Sequence, residues 1–431
     1  MQVTIHRGTN EIGGNCVEIQ SGDSRVLIDF GMPLVDKNRD RFDSASITAK
    51  SIDDLKAEKT LPDVKGLYKD ERPQIDAILI SHSHLDHYGL LDFANSAIPV
   101  YISRGAKELV EATNIFIDKN IQLSNPQIIK HLSPVHIKDF KITPYLVDHS
   151  APDAFAFLIE AEGKRVFYSG DFRGHGRKRT LFDQMIKSPP KDIDCLLMEG
   201  SMLGRNEMIY KDEDKVEARI VTILKEQNNI TFLFASSQNI DRLVSAYKAC
   251  LQTGTTFVID IYTAYILQRL GETVSKNIMQ FDWKKIRVKF FKYHADKLAG
   301  AGYEKLLYIY NSRKIEMDEL NENKKNILML ARDNSIFPLI IKHIGEPAGA
   351  KIIYSMWEGY LTEKFEKFCS ERKIEIEHVH TSGHAVLPDL QRFTKALNPK
   401  CLVPIHTFEP DEYPKFFENV KTVNNGKPFL I

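Results

Sequence analysis

The chain has 431 residues, 43% of them hydrophobic and 27% charged, and its 58 Lys plus Arg balance 58 Asp plus Glu. This is the composition of a globular protein long enough for two or three domains. Zero net charge excludes a global pull toward nucleic acid or an anionic membrane, so a polyanion site has to be a local patch. No apolar run approaches the roughly 20 residues of a membrane span, and the first residues lack the charged and apolar regions of a signal peptide. The five cysteines are far apart, with no C-x-x-C pair, and read as reduced thiols. A cytoplasmic protein without membrane attachment is expected.

Three short strands open the chain, Val3 to Ile5, Cys16 to Ile19 and Arg25 to Ile28, with a turn-rich loop from Gly8 to Asn15 between the first two. That loop suits either plain turn geometry or a phosphate cradle. The third strand ends in Asp29, read as a buried hydrogen-bond anchor for a neighbouring loop. Residues 34–72 are polar, a surface excursion with a short helix near Ser51 to Lys59. The apolar run Ala77-Ile78-Leu79-Ile80 then reads as a buried strand that delivers Ser81-His82-Ser83-His84-Leu85-Asp86-His87 at its C-terminal end. His82 and His84, two apart in extended backbone, point the same way and offer two imidazoles to one ion. Asp86 and His87, past the bend around Leu85, can face a second ion. Imidazole and carboxylate together suit zinc, with iron or manganese behind it.

A helix is expected over Tyr88 to Ala97, a strand at Val100 to Ile102 and another helix over Ala106 to Asn120. A strand from Tyr145 runs to His149, a hairpin about Glu162-Gly163 leads to Asp171, and Cys195 to Met198 ends on Glu199. His82, His149, Asp171 and Glu199 thus stand at four successive strand ends, as a sheet would present them to two adjacent ions. Arg173, His175, Arg177, Lys178 and Arg179 either line that cleft or form a solvated loop. From about 205 to 350, helices and strands alternate as in a separate parallel α/β unit. Ser237 and Asn239 open one of its helices, as phosphate ligands or as N-caps. Lys284, Lys285, Arg287, Lys289 and Lys292 read as a solvated face or a polyanion patch, and 311–326 as an exposed loop. Ile374 to His380 alternates like a strand and meets Thr381-Ser382-Gly383-His384, Leu387 to Leu397 is helical, and a last strand ends on His406. The expected division is 1–204, an insert over 205–358 and a returning part over 359–431.

Asp29, the His82-x-His84-x-Asp86-His87 loop, His149 and Asp171, in that order, resemble the metallo-β-lactamase superfamily. Glu199, His384 within Ser382-Gly383-His384-Ala385, and His406 resemble the further motifs of its β-CASP nucleases. Glu11-Ile12-Gly13-x-Asn15, Gly170-Asp171-Phe172-Arg173 and Pro404-Ile405-His406 are similar to the ribonuclease J branch. The resemblance implies an α/β fold, a metallo-β-lactamase αββα sandwich built from 1–204 and 359–431 with a β-CASP α/β domain inserted over 205–358. It implies two zinc ions, with manganese as an alternative: His82, His84 and His149 on one, Asp86, His87 and His406 on the other, and Asp171 bridging. Asp86, Glu199 and His384 would serve catalysis, Glu199 by orienting His384, and Asp29 would stand behind the ligands. Ser237, Asn239, Ser382 and Gly383 would hold the substrate backbone or a 5′-phosphate.

The function so implied is a zinc-dependent ribonuclease that hydrolyses RNA phosphodiesters by a two-metal mechanism, as a 5′-3′ exonuclease, an endonuclease or both. RNA is favoured over DNA as partner, and a homo-oligomer is left open. The alternatives are a DNA nuclease of the artemis type and a small-molecule metallohydrolase acting on thioesters or lactones. Two departures stand out. His406 is followed by Thr407-Phe408 where the branch carries Gly-Glu, and about 25 residues follow His406 where ribonuclease J has a further C-terminal domain. A compact relative is therefore expected.

Overall fold

Strands that alternate in sequence need a face to bury, and here two sheets supply it for each other. The computed structural model describes residues 1–431 except 37, 48, 118, 120, 124, 206 and 207. Its contacts divide the chain into two units: Met1–Val110, Asn120–Asn206 and Gly383–Ile431 form the first, Glu111–Lys119 and Glu207–Ser382 the second.

The first unit holds a seven-stranded sheet in the spatial order Pro428–Leu430, Gln2–Arg7, Cys16–Ser21, Ser24–Ile28, Ala77–Leu79, Val100–Ser103 and Gln127–Ile129. A six-stranded sheet runs Leu402–Ile405, Cys195–Glu199, Lys164–Tyr168, Phe155–Ala161, Phe140–Leu146 and Val135–Ile137. Val3, Ile5, Val17, Ile19, Val26 and Ile28 of the one pack against Phe157, Ile159, Val166, Cys195, Leu197 and Val403 of the other. Helices close both outer faces. Ala106 and Val110 join Leu27, Ile78 and Ile102 outside the first sheet, while Phe182, Leu390 and Phe393 cover Phe167, Leu196 and Met198 outside the second. Burial on both faces is why Ala77–Leu79 and Cys195–Glu199 read as unbroken apolar runs. The result is an αββα sandwich.

Topology brings the site to one edge. Ala77–Leu79 runs parallel to Ser24–Ile28, and Lys164–Tyr168, Cys195–Glu199 and Leu402–Ile405 are mutually parallel neighbours. Their C-terminal ends therefore release Asp29, the histidine loop, Asp171, Glu199 and His406 on the same side of their sheets. The Phe155 N–H donates to the Ser81 carbonyl (2.8 Å) and ties the sheets together there. At Glu162-Gly163 both φ values are positive, 51° and 70°, the backbone of a tight hairpin turn.

The second unit is a seven-stranded sheet in the order Lys314–Ile315, Ile286–Lys289, Thr256–Asp260, Ile327–Ala331, Thr231–Phe234, Lys351–Tyr354 and Glu375–His378, parallel at every pairing. Phe232, Phe234, Met329, Ile352 and Tyr354 pack with Phe337, Ile341 and Phe365 of helices Phe337–Ile344 and Glu363–Ser370.

Three expectations are corrected. The return at 359 is too early, because Glu375–His378 pairs with Lys351–Tyr354, Glu375 opposite Lys351, and keeps the chain in the second unit to Ser382. Tyr88 to Ala97 is not a helix. A single turn, Leu85–Tyr88, stops at Gly89, and the Lys69 and Asn95 N–H groups bond the Phe93 and Leu67 carbonyls instead. Residues 311–326 are not an exposed loop, since they supply strand Lys314–Ile315 and helix Met317–Glu322, with Ile315 and Leu320 in the core. Among the described residues no helix is long and apolar enough to cross a membrane.

Candidate metal centre

The loop after Ala77–Leu79 is held by backbone before any side chain acts. Phe30 N–H donates to the His87 carbonyl (2.8 Å), Met32 N–H to that of Leu85 (2.9 Å) and Asn15 N–H to that of Asp86 (3.1 Å). A Cβ at Gly31 would run into the Asp86 carbonyl, so this strand end admits only glycine. Asp29, at φ 59°, accepts the Ser81 N–H on Oδ1 (2.8 Å) and the Ser81 hydroxyl on Oδ2 (2.8 Å). The same Oδ2 accepts from His87 Nδ1 (2.7 Å) and the Tyr168 hydroxyl (2.7 Å). This is the anchor anticipated for Asp29.

His82, His84 and His149 form the first cluster. His84 Nδ1 lies 3.1 Å from His82 Nε2 and 3.2 Å from His149 Nε2. His149 Nδ1 donates to the Gly383 carbonyl (2.7 Å). The Ser81 hydroxyl spends its hydrogen on Asp29 and so accepts from His82 Nδ1 (3.1 Å). Both Nε2 atoms are thereby left as lone pairs. Burial, with neighbouring imidazoles, pushes His82 and His149 well below the usual histidine range, and burial brings His84 down to about 4. With His84 Nδ1 bare as well, three lone pairs would converge at this spacing and repel unless a cation lay among them. Tetrahedral zinc with Zn–N bonds of about 2.0–2.1 Å separates its ligand atoms by about 3.3 Å.

Asp86, His87, Asp171 and His406 form the second cluster. Asp171 Oδ2 is 3.1 Å from His87 Nε2, 3.5 Å from His406 Nε2 and 3.7 Å from His82 Nε2, so one carboxylate oxygen faces both clusters. Asp86 Oδ2 is 3.6 Å from His87 Nε2 and 3.8 Å from His406 Nε2. Among the described residues His406 Nε2 and Asp171 Oδ1 are buried without a hydrogen-bond partner, a costly arrangement for which a bound ion is the natural remedy. His406 also holds a left-handed backbone, φ 50°, fixed by its N–H donating to the Gly8 carbonyl (2.7 Å). The donor set fits zinc in both clusters.

Beside them, Glu199 Oε2 is 3.2 Å from His384 Nδ1, and its oxygens also accept the N–H groups of Phe172 (3.0 Å), Ser201 (3.2 Å) and Ala385 (3.4 Å). Burial would lower the His384 imidazole, but the charges of Glu199 and Asp171 prevail and raise it.

The remaining candidates are placed differently. Gly383 contributes the carbonyl that turns His149. Asn239 caps helix Ile240–Thr253 through the Arg242 N–H (3.1 Å), and Ser237 is buried against Thr263 Oγ1 (2.7 Å) and Arg332. Both bonds lie inside the second unit, as does the one from the Ser382 N–H to Met208 Sδ (3.1 Å). Arg173 is fully buried on Asp148, and Lys178 donates to the His149 carbonyl (3.1 Å), so these two brace the histidine from behind. Ser81, Asn15 and Tyr168 were not singled out as site residues. Ser81 stands next to His82, but only the fold brings Asn15 and Tyr168 to the ligands.

Comparison with known proteins agrees with this arrangement. Residues 52–232 match the beta-lactamase superfamily domain, and residues 371–412 the Zn-dependent metallo-hydrolase RNA specificity domain. Ribonuclease J of Mycoplasma genitalium is 24% identical over 419 residues, covering 93% of this chain and 66% of that protein. Residues 52–232 thus carry a domain of the metallo-β-lactamase kind. As a whole the chain resembles β-CASP, ribonuclease J-like proteins. Ribonuclease J of Sinorhizobium meliloti is 23% identical over 366 residues, 80% of this chain and 60% of that protein. An RNase J-like protein of Methanocaldococcus jannaschii is 25% identical over 208 residues, 46% of this chain and 42% of that one. The chain thus spans less than two thirds of the length of these curated relatives. A solved structure, a protein of unknown function from Enterococcus faecalis V583, shares the fold with a TM-score of 0.80 and 21% identity, over 100% of this chain and 99% of that one.

Proposed function

We propose that the chain is a zinc-dependent ribonuclease that hydrolyses RNA phosphodiesters at two adjacent ions. The observation that carries this is the pair of buried clusters that Asp171 Oδ2 faces, with the His82 and His149 lone pairs aimed into one and, among the described residues, His406 Nε2 and Asp171 Oδ1 without a hydrogen-bond partner in the other. His82, His84 and His149 would hold one ion, Asp86, His87 and His406 the second, and Asp171 would face both. When bound, the ions acidify a water and neutralise charge on the phosphoryl oxygens. Asp29 and Gly383 keep the imidazoles aimed. His384, its Nδ1 held by Glu199 and its basicity raised, supplies a proton to the departing ribose oxygen from its other nitrogen. RNA as substrate is supported by the RNA specificity domain matched at 371–412 and by the names of the relatives.

The test uses the purified chain with zinc or manganese, on RNA and DNA labelled at either end and carrying a 5′-phosphate or a 5′-hydroxyl. RNA shortening from the 5′ end, internal cutting or both is expected. His84→Ala and Asp171→Ala should each cost more than the roughly 100-fold typical of lost outer partners, with far-UV circular dichroism unchanged. Full activity in both variants would overturn the assignment. Turnover of a thioester or lactone with every polymer left intact would move the site to small-molecule chemistry.

A further inference from the structure

Asp29 serves more ligands than the one it touches. A carboxylate only accepts, so the Tyr168 hydroxyl, 2.7 Å from Asp29 Oδ2, must spend its single hydrogen there. Tyr168 is fully buried and its oxygen can then only accept from Asn15, whose side chain lies 3.3 Å away. That decides the orientation of the Asn15 amide: Nδ2 faces Tyr168 and Oδ1 faces His406 Nδ1, 3.0 Å away. An amide oxygen cannot donate, so His406 carries its hydrogen on Nδ1 and leaves Nε2 bare, the atom that is buried without a partner beside Asp171. The Gly13 N–H, 3.3 Å from His406 Nδ1, is then a close neighbour and not a donor to it.

We propose that Asn15 and Tyr168 are positioning residues which relay the Asp29 charge to His406, so that one carboxylate sets the tautomer of three ligand histidines. It acts on His87 directly, on His82 through Ser81, and on His406 through Tyr168 and Asn15. The three routes reach both ligand clusters. Outer hydrogen bonds of this kind typically change metal affinity by about 10- to 100-fold. The relay rests on the metal-binding reading for its purpose, but the tautomers themselves do not need an ion.

Nitrogen-15 correlation spectra of the metal-free protein and zinc titration of the same samples test the two separately. Wild-type His406 should show the Nδ1–H form. Tyr168→Phe, which frees the Asn15 amide to turn its NH2 toward His406, and Asn15→Leu should move it toward Nε2–H. Asn15→Asp, still an acceptor, should keep Nδ1–H, which a merely space-filling role would not predict. Zinc should bind as two equivalents to wild type, and the second should weaken about 10- to 100-fold in Tyr168→Phe with the first unchanged. An Nε2–H form of His406 in wild type overturns the relay whatever zinc does. Nδ1–H in wild type with fewer than two zinc equivalents upholds the relay and overturns the two-ion reading.

Discussion

Glu18 shows how one residue ties pH to stability. It lies on strand Cys16–Ser21, largely buried, 2.9 Å from His6 Nε2 and accepting from Arg25 Nε (2.7 Å). Burial alone would raise its carboxyl, but hydrogen bonds and charge from His6 and Arg25 bring it down to about 2 from an ordinary 4.5. Because the folded value lies below the unfolded one, the stabilisation is fully present above about pH 4.5 and drains away as pH falls toward 2. Glu18→Gln should therefore cost about 2 kcal/mol at neutral pH. Urea unfolding at a series of pH values should show the gap between wild type and variant closing in that acid window. A gap that stays constant down to pH 2 would mean that Glu18 acts by packing alone.

Between elements, the most consequential contact in the second unit joins helices Glu213–Glu226 and Ile240–Thr253. Arg242 is fully buried and forks onto Glu213, at 3.0 Å from Nη2 and 3.2 Å from Nε, while also donating to the Ser355 and Thr381 carbonyls. Ser245 Oγ adds a bond to the same carboxylate (2.7 Å). Sequence shows only an arginine and a glutamate at unremarkable helix positions. Arg242→Met should destabilise by about 3–5 kcal/mol, because it strands the Glu213 charge in the interior. Adding Glu213→Gln should recover part of that loss, measured by the same unfolding midpoints, and no recovery would assign the cost to lost volume. The basic cluster tells a related story. Arg287 pairs with Glu319 and Lys285 donates to the Gly254 carbonyl, so these two members of the stripe legible in sequence meet partners inside the unit, while Lys292 pairs with Asp296 on the surface.

For the whole molecule, the ligand clusters all lie in the first unit, and among the described residues the second contributes no such group. Zinc should then act as a ligand of the first unit's native state. At a free concentration 100 times its dissociation constant it would add about 2.7 kcal/mol. Hydrogen exchange with and without zinc should slow in peptides over 77–88, 146–151, 168–173 and 402–407, with rates over 231–273 and 327–354 unchanged. Slowing confined to the second unit would contradict the ligand placement.

The residues of the candidate ligand clusters were legible in sequence because they stand at or just past the ends of apolar strands, and strand ends are where a buried sheet releases polar side chains. Asp29 was legible as an anchor for the same reason. His82, His84 and His87 needed only local spacing, whereas His149, Asp171 and His406 needed the assumption that separate strand ends meet. The domain boundary at 359 failed because Glu375–His378 has the same alternation whichever sheet it joins, and only pairing with Lys351–Tyr354 decides. Tyr168 gave no signal, since a tyrosine in an apolar strand is ordinary in its local setting, and Asn15 was legible only as part of the Glu11-Ile12-Gly13-x-Asn15 motif, with nothing there to point to His406. By itself, then, the order of residues determined the fold class and the chemical identity of the site, through periodicity and strand-end chemistry that act over a few residues. Tertiary structure alone decided which sheet each strand enters, which charges are spent internally and which nitrogen of each imidazole is bare. Those depend on partners far apart in the chain, 391 residues in the case of His406 and Asn15, and distance along the sequence carries no record of distance in space.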